Sequence, residues 1–261
     1  KRMIEENEKV AWTPEHLKHG RFGHILESAP DWTISRNRLW ASPLPIWKDK
    51  AGNVTVVGSL EELKEHTKKS GNRYFVMRHG EAESNAKRVM SCNVSAANGL
   101  TEAGKAQVHE TLKTLKKASI TRIVTSPFER TRETATIIAE ALALAPDRVE
   151  TEPRVGELHA GEYDVKPCEE FMRYRDEHMR DYRTPAPGGE SYQDAKRRFG
   201  EVLYDFEKRY TNETVLIVTH GIGFETLRAV AMGASMGESS TIAFRPKDPP
   251  AHVEELPFIP L

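Results

Sequence analysis

The segment Tyr74-Phe75-Val76-Met77-Arg78-His79-Gly80 sets four apolar residues directly against an arginine, a histidine and a glycine. An apolar run this short, halted by polar groups and a glycine, predicts a buried strand running into a turn. Two later segments have the same construction. Thr121–Thr125 (TRIVT) stops at Ser126-Pro127, with Arg130 one turn further on, and Thr214–Thr219 (TVLIVT) ends at His220-Gly221. Between these strands the pattern predicts helices. One is capped by Thr101 and runs through Gln107 to about Lys117, and another spans Phe128 to Leu142. Further helices are expected over 168–182, over 191–209 with Ser191 and Asp194 in a capping-box-like relation, and around Glu225 to Met232. Alternating strands and helices imply an α/β fold with a mostly parallel sheet covered on both faces. Ligands of such sheets bind beyond the carboxyl ends of the strands. Three predicted strands end there in Arg78-His79, Ser126 with Arg130, and His220.

Composition bounds the rest. The chain has 261 residues and a formal net charge of −1, enough for one or two domains and without the charge excess of a general nucleic-acid or membrane binder. Cys92 and Cys168 have neither metal-site nor redox spacing, which points to a reducing compartment. No stretch approaches the roughly 18 apolar residues of a membrane span, and the charged N-terminal segment is no secretory signal. A cytoplasmic protein without membrane attachment is expected. All 4 tryptophans (Trp12, Trp32, Trp40 and Trp47) lie near the start, which suggests two parts of different origin. The charged run 61–72 (EELKEHTKKSGN) is the expected junction, and 245–250 (RPKDPP) is a second loose segment.

The polar groups at the strand ends suit phosphoryl transfer. That chemistry needs rigid positive donors around the phosphoryl oxygens, a nucleophile, and a proton source for the leaving group. Guanidinium forks match phosphate oxygens and keep their charge, so Arg78 and Arg130 meet the first need. A neutral His79 can attack phosphorus, and neighbouring arginines favour that neutral form. His220, once protonated, adds a donor, and Gly80 and Gly221 let the backbone approach the phosphate. Taken singly, a histidine after a strand is more often structural and an arginine more often a solvated surface charge. No His/Asp/Glu cluster with ligand spacing accompanies the histidines, so no metal is expected.

Tyr74 to Asn85 (YFVMRHGEAESN) resembles the signature of the histidine phosphatase superfamily, also called phosphoglycerate-mutase-like. Leu100 to Gly104 (LTEAG) resembles its LTxxG helix start, Ser126 to Ala135 (SPFERTRETA) its SPxxRxxxTA segment, and Val218 to Gly221 its second histidine. Order and spacing match over about 175 residues, 72–246. The resemblance implies a three-layer α/β/α fold, no cofactor, and a phosphorylated small molecule as substrate. It implies His79 as nucleophile and Arg78, Arg130 and His220 as the phosphate pocket, joined by Asn85 and the Gly221 backbone. Glu157 stands where the family carries its acid. Glu190, within Gly188-Gly189-Glu190-Ser191, is open between stabilising a helix N-terminus and a role in the site. Two departures bear on substrate: Gly161 to Val165 replaces a Gly-x-Trp-Glu-Gly segment, and Ser84 stands where mutases carry tryptophan, which favours a phosphatase.

Residues 1–70 resemble something else. Trp12 to Gly23 and Asp31 to Trp40, continued by Pro43 to Trp47 and Gly58 to Leu63, look like a class I isoleucyl-tRNA synthetase where the chain re-enters the catalytic core. Ala41-Ser42 departs from its usual glycine. Residues 247–261, with EELPFIPL at their end, are expected to resume that sequence. Segments like the ATP-holding HIGH and KMSKS motifs are missing, so tRNA, ATP and isoleucine are partners expected only of a parent synthetase. Arg36 and Arg38 are open between phosphate or tRNA contacts there and ordinary ion pairs. The expected function is a metal-independent phosphatase acting through phosphohistidine. The alternatives are a phosphomutase using the same intermediate and a non-catalytic module inserted into the synthetase.

Overall fold

A computed structural model describes residues 2–28, 45–66, 71–179, 181–234 and 249–258. Chain contacts divide it into two units, 1–63 and 64–261. In the first unit, α1 (Arg2–Glu8) and α2 (Arg21–Ser28) are followed by strands β1 (Ile46–Lys48) and β2 (Val54–Val56), an antiparallel pair in which Trp47 faces Thr55. The Trp12 indole donates to Asn7 Oδ1 at 3.0 Å and Asn7 Nδ2 donates to the Lys18 carbonyl at 3.1 Å, which ties α1 to the turn before α2. Trp32, Arg36, Arg38 and Trp40 lie outside the described residues. Helix α3 (Leu60–His66) falls in the charged run expected as the junction.

The second unit contains β3 (Arg73–Arg78), α4 (Glu83–Ala86), α5 (Glu102–Ala118), β4 (Arg122–Thr125), α6 (Glu129–Ala141) and β5 (Val149–Thr151). After these come α7 (Cys168–His178), α8 (Tyr192–Arg209), β6 (Thr214–Thr219), α9 (Gly221–Ala231) and β7 (Val253–Leu256). Among the described residues the sheet order is β5-β4-β6-β3-β7, parallel except for β7. Alternation along β3 separates the two cores. Tyr74 and Val76 pack with Phe199, Phe206 and Phe224 of α8 and α9. Phe75 and Met77 pack with Val108, Leu115 and Ile138 of α5 and α6. Both faces of the central strands are therefore dry, which explains their unbroken apolar runs. The three-layer α/β/α architecture follows.

The expected elements form with informative differences. Thr101 caps α5 by accepting from Gly104 N at 3.0 Å, and Ser191 caps α8 by accepting from Asp194 N at 3.1 Å. Helix α7 ends at His178 rather than 182, because Met179 turns into the core at 2% exposure and the chain leaves the helical path. Helix α9 begins at Gly221, four residues before the expected Glu225, because β6 passes straight into it through an extended His220. Its Gly-Ile-Gly opening has low helix propensity, and packing overrides that. Residues 253–256, within the stretch expected to return to synthetase sequence, form edge strand β7 against β3, with Tyr74 facing Leu256. Just before it, Ala251 N donates to the His79 carbonyl at 3.1 Å and Arg78 N donates to the His252 carbonyl at 3.0 Å.

Candidate active site

Sheet register assembles the site. Arg78 of β3 stands opposite Thr219 of β6, and Thr125 of β4 opposite Val218. The residues that follow, His79, His220 and Ser126, therefore emerge side by side at one edge. The turn after β3 packs tightly on the start of α5: a Cβ on Gly80 would meet the Gly104 carbonyl oxygen, and one on Gly104 would meet the backbone of Glu81. Only glycine permits that approach at either position.

His79 is 3% exposed. Its Nδ1 lies 2.6 Å from the Gly80 carbonyl oxygen, which only accepts, so Nδ1 carries the proton. Nε2 then holds a lone pair, and it receives the Arg130 Nε–H at 3.1 Å. Burial holds the His79 pKa well below its ordinary value, Arg130 adds to this, the Gly80 bond opposes it, and Arg78 contributes least. Desolvation thus outweighs the arginines that the sequence pattern emphasised. His220, fully buried, packs edge-on against His79 with ring centroids 5.2 Å apart and against Phe128 at 4.7 Å. Its pKa is likewise held well below ordinary, by burial first and then by Arg130.

A cavity of about 140 Å³ opens over these groups. Arg78, His79, Asn85, Arg130, Glu157 and Gly221 all line it, while His220 lies beside it in the protein interior. The Arg130 guanidinium is anchored by the Ser91 carbonyl at 3.0 Å and sits over the Phe128 ring. Asn85 Oδ1 accepts from Ala82 N at 3.0 Å, bracing the loop after His79. The far wall is apolar, from Val89, Met90, Phe171, Met172 and Ile222, with Arg175 of α7 beside it. Arg175 and Ser91 have no counterpart among the sequence candidates. They come from a charged helix and an irregular loop, where no pattern marks which residue faces inward.

Glu157 is placed by Arg198, which the sequence also left unmarked, together with Glu190. Arg198 of α8 grips the Glu190 carboxylate at 2.7 and 2.8 Å. The same guanidinium donates to the carbonyls of Arg154, Gly156 and Glu157 at 2.6, 3.0 and 3.2 Å. The Glu157 carboxylate accepts from Leu158 N at 2.9 Å. Glu190 is thus an anchor for the loop that carries Glu157, and Ser191 caps the helix. Glu129 and Glu133, inside the SPFERTRETA segment, hold another loop by accepting from the backbone N–H groups of Asn98 and Leu100, each at 2.6 Å.

Residues 74–255 match the family model of the histidine phosphatase superfamily (branch 1). The chain belongs to this superfamily. Among solved structures, a histidine-phosphatase-like fold is shared with mycobacterial glucosyl-3-phosphoglycerate phosphatase in complex with VO3, at 22% identity, covering 70% of this chain and 90% of that one, with a TM-score of 0.60. Bacillus stearothermophilus YhfR is 25% identical over 70% of this chain and 90% of its own, with a TM-score of 0.60. Residues 1–96 match the class I tRNA synthetase family of the isoleucine, leucine, methionine and valine enzymes. The isoleucine–tRNA ligase of Chlamydia abortus is 54% identical over 66 residues, 25% of this chain. The chain spans 6% of the length of that ligase. No described helix is long and apolar enough to cross a membrane.

Proposed function

We propose that residues 71–258 form a metal-independent phosphatase that hydrolyses a phosphomonoester through phospho-His79. The observation that carries this reading is the state of His79. It is buried and neutral, with its proton committed to Gly80 and its Nε2 lone pair held by Arg130 at the cavity. A neutral nucleophile beside two guanidinium groups is what attack on a phosphoryl dianion requires.

Nε2 attacks phosphorus and the ester P–O bond breaks as Glu157 gives its proton to the leaving oxygen. Arg78, Arg130 and Asn85 hold the phosphoryl oxygens throughout. Water then attacks the phosphorus of phospho-His79, Glu157 takes a proton from it, and the N–P bond breaks to release phosphate. The small cavity and its apolar wall favour a compact ester with an apolar face. The arginines supply the charge that a metal otherwise would.

The test is a rapid quench with p-nitrophenyl phosphate. Wild-type protein is expected to carry acid-labile phosphate and to turn over undiminished in EDTA, and His79→Ala is expected to do neither. Acid-stable phosphate on serine, or activity that returns only with an added divalent ion, would overturn the mechanism. Phosphoryl transfer to a second substrate molecule in place of release would identify a mutase.

A further inference from the structure

Next to His220 lies a buried chain of hydroxyls whose proton directions are fixed. Thr131 Oγ1 lies 2.8 Å from the Phe128 carbonyl oxygen and 3.0 Å from that of Ser126. Carbonyls only accept, so the single Thr131 proton points at them. Thr131 Oγ1 must then accept in its 2.7 Å contact with Ser126 Oγ, which makes Ser126 the donor. With its own proton spent, Ser126 must accept in its 2.8 Å contact with His220 Nε2. Nε2 therefore carries the proton of neutral His220. Nδ1 is left with a lone pair, buried and without a hydrogen-bond partner. Ser126, Thr131 and His220 are all 0% exposed, so no bulk water loosens this order.

His79 and His220 thus stand in opposite tautomers. Because the two rings pack edge-on with centroids 5.2 Å apart, a phosphoryl group seated on His79 Nε2 has as its neighbour an imidazole whose remaining nitrogen has nothing to donate. We propose that Ser126 and Thr131 are positioning residues that hold the His220 proton on Nε2, so that Nδ1 takes up one proton from solvent as the phosphoryl dianion binds. The incoming proton forms an N–H donor to a phosphoryl oxygen and turns His220 into a cation only while the anion is present. The groups facing His220 are Arg78 and His79 at the end of β3, Arg130 of α6 and Arg198 of α8, together with the Phe128 ring. Burial first, and then these three cations, keep the ring neutral without a ligand and make its protonation conditional on the anion. This inference rests on the phosphatase reading, and its experiment separates the two.

Inorganic phosphate is titrated calorimetrically into the Glu157→Gln chain, where the Glu157 carboxyl cannot take the proton. From about pH 8 to 9 the phosphate is a dianion. Binding is expected to take up about one proton and to weaken about tenfold per pH unit. With Thr131→Val added, Ser126 is free to donate to Nε2, the His220 proton moves to Nδ1, and the pH dependence is expected to flatten. Thr131→Ser keeps the hydroxyl and should restore the slope. Nitrogen-15 correlation spectra of the ligand-free wild-type chain provide a readout independent of any variant's folding, and should place the His220 proton on Nε2. A proton on Nδ1, a flat wild-type slope, or an equal slope in Thr131→Val would overturn the relay. No phosphate binding at all would overturn the phosphatase reading and the relay with it.

Discussion

At the residue scale, identical side chains take different roles through the partners that fix their protons. His79 offers Nε2 because Gly80 takes the Nδ1 proton, and its neutrality owes more to burial than to arginine. This depression has a consequence for stability. Both buried histidines have folded pKa values below the ordinary value near 6.5, so as pH falls through that value the unfolded chain gains protons that the folded chain refuses. Stability is present above that pH and drops below it, by up to about 1.4 kcal/mol per pH unit for each histidine. Urea unfolding at pH 7.5 and 5.5 should show the drop, reduced in His220→Gln; an equal drop in the variant would contradict it. Glu157 is a separate case. An alkyl phosphate expels a poor alkoxide, whereas p-nitrophenyl phosphate expels a stable phenolate. Glu157→Gln should therefore lose roughly 10²–10⁴-fold on alkyl esters and much less on the aryl ester. Glu162→Gln and Asp164→Asn serve as controls, and an alkyl-selective loss in either would transfer the acid's role to it.

At the scale of elements, loop placement depends on one guanidinium. Arg198 links α8 to the Glu190 carboxylate and to three carbonyls of the loop bearing Glu157. Both side chains of this ion pair are largely buried, at 20% and 17% exposure. Removing one partner of such a pair should cost about 3 kcal/mol. Arg198→Met is thus expected to lower stability and also to reproduce the alkyl-selective defect of Glu157→Gln, because the acid loses its place. A variant that is less stable yet equally impaired on both ester types would make Arg198 merely structural. Sequence pattern did not reveal this clip, since an arginine in a charged amphipathic helix looks solvated until its tertiary neighbours are known. The central strands were legible for the opposite reason. Burial on both faces wrote their apolar runs into β3, β4 and β6, and the polar residues that end those runs are the site candidates. Edge strands lack that constraint. Val149–Thr151 is too short to show a period, and Val253–Leu256 carries two glutamates on an edge that needs only backbone pairing. They were readable because motif spacing fixes them to strand ends. Ser91, Arg175 and Arg198 reach the region by tertiary approach.

At the scale of the whole molecule, every residue placed in the cavity belongs to the second of the two units. The synthetase-like residues are therefore expected to be dispensable for phosphatase turnover, whereas residues 249–258 are not. The phosphatase was expected to close at 246, and the sheet carries on to Leu256. Strand β7 covers the free edge of β3, and Arg73 Nε and Nη2 reach the two Glu255 carboxylate oxygens at 2.8 and 3.0 Å. More directly, Ala251 and His252 hydrogen-bond the backbone of His79 and Arg78, so this segment braces the turn that carries His79. At the other end, Asn72 Oδ1 accepts from Glu213 N at 2.9 Å and its Nδ2 donates to the Tyr210 carbonyl at 3.1 Å, which places Asn72 with the phosphatase. A chain of residues 71–258 should then turn over p-nitrophenyl phosphate as the 261-residue protein does. A chain of 71–246 leaves the β3 edge open and the Arg78 and His79 backbone unbraced, and should lose activity more than tenfold with a lower unfolding midpoint. The first comparison isolates the synthetase-like unit and the second isolates strand β7. If 71–246 matches 71–258 in both turnover and stability, β7 is an ornament and the boundary belongs at 246. If 71–258 folds but fails to turn over, the synthetase-like unit contributes to catalysis from outside the cavity.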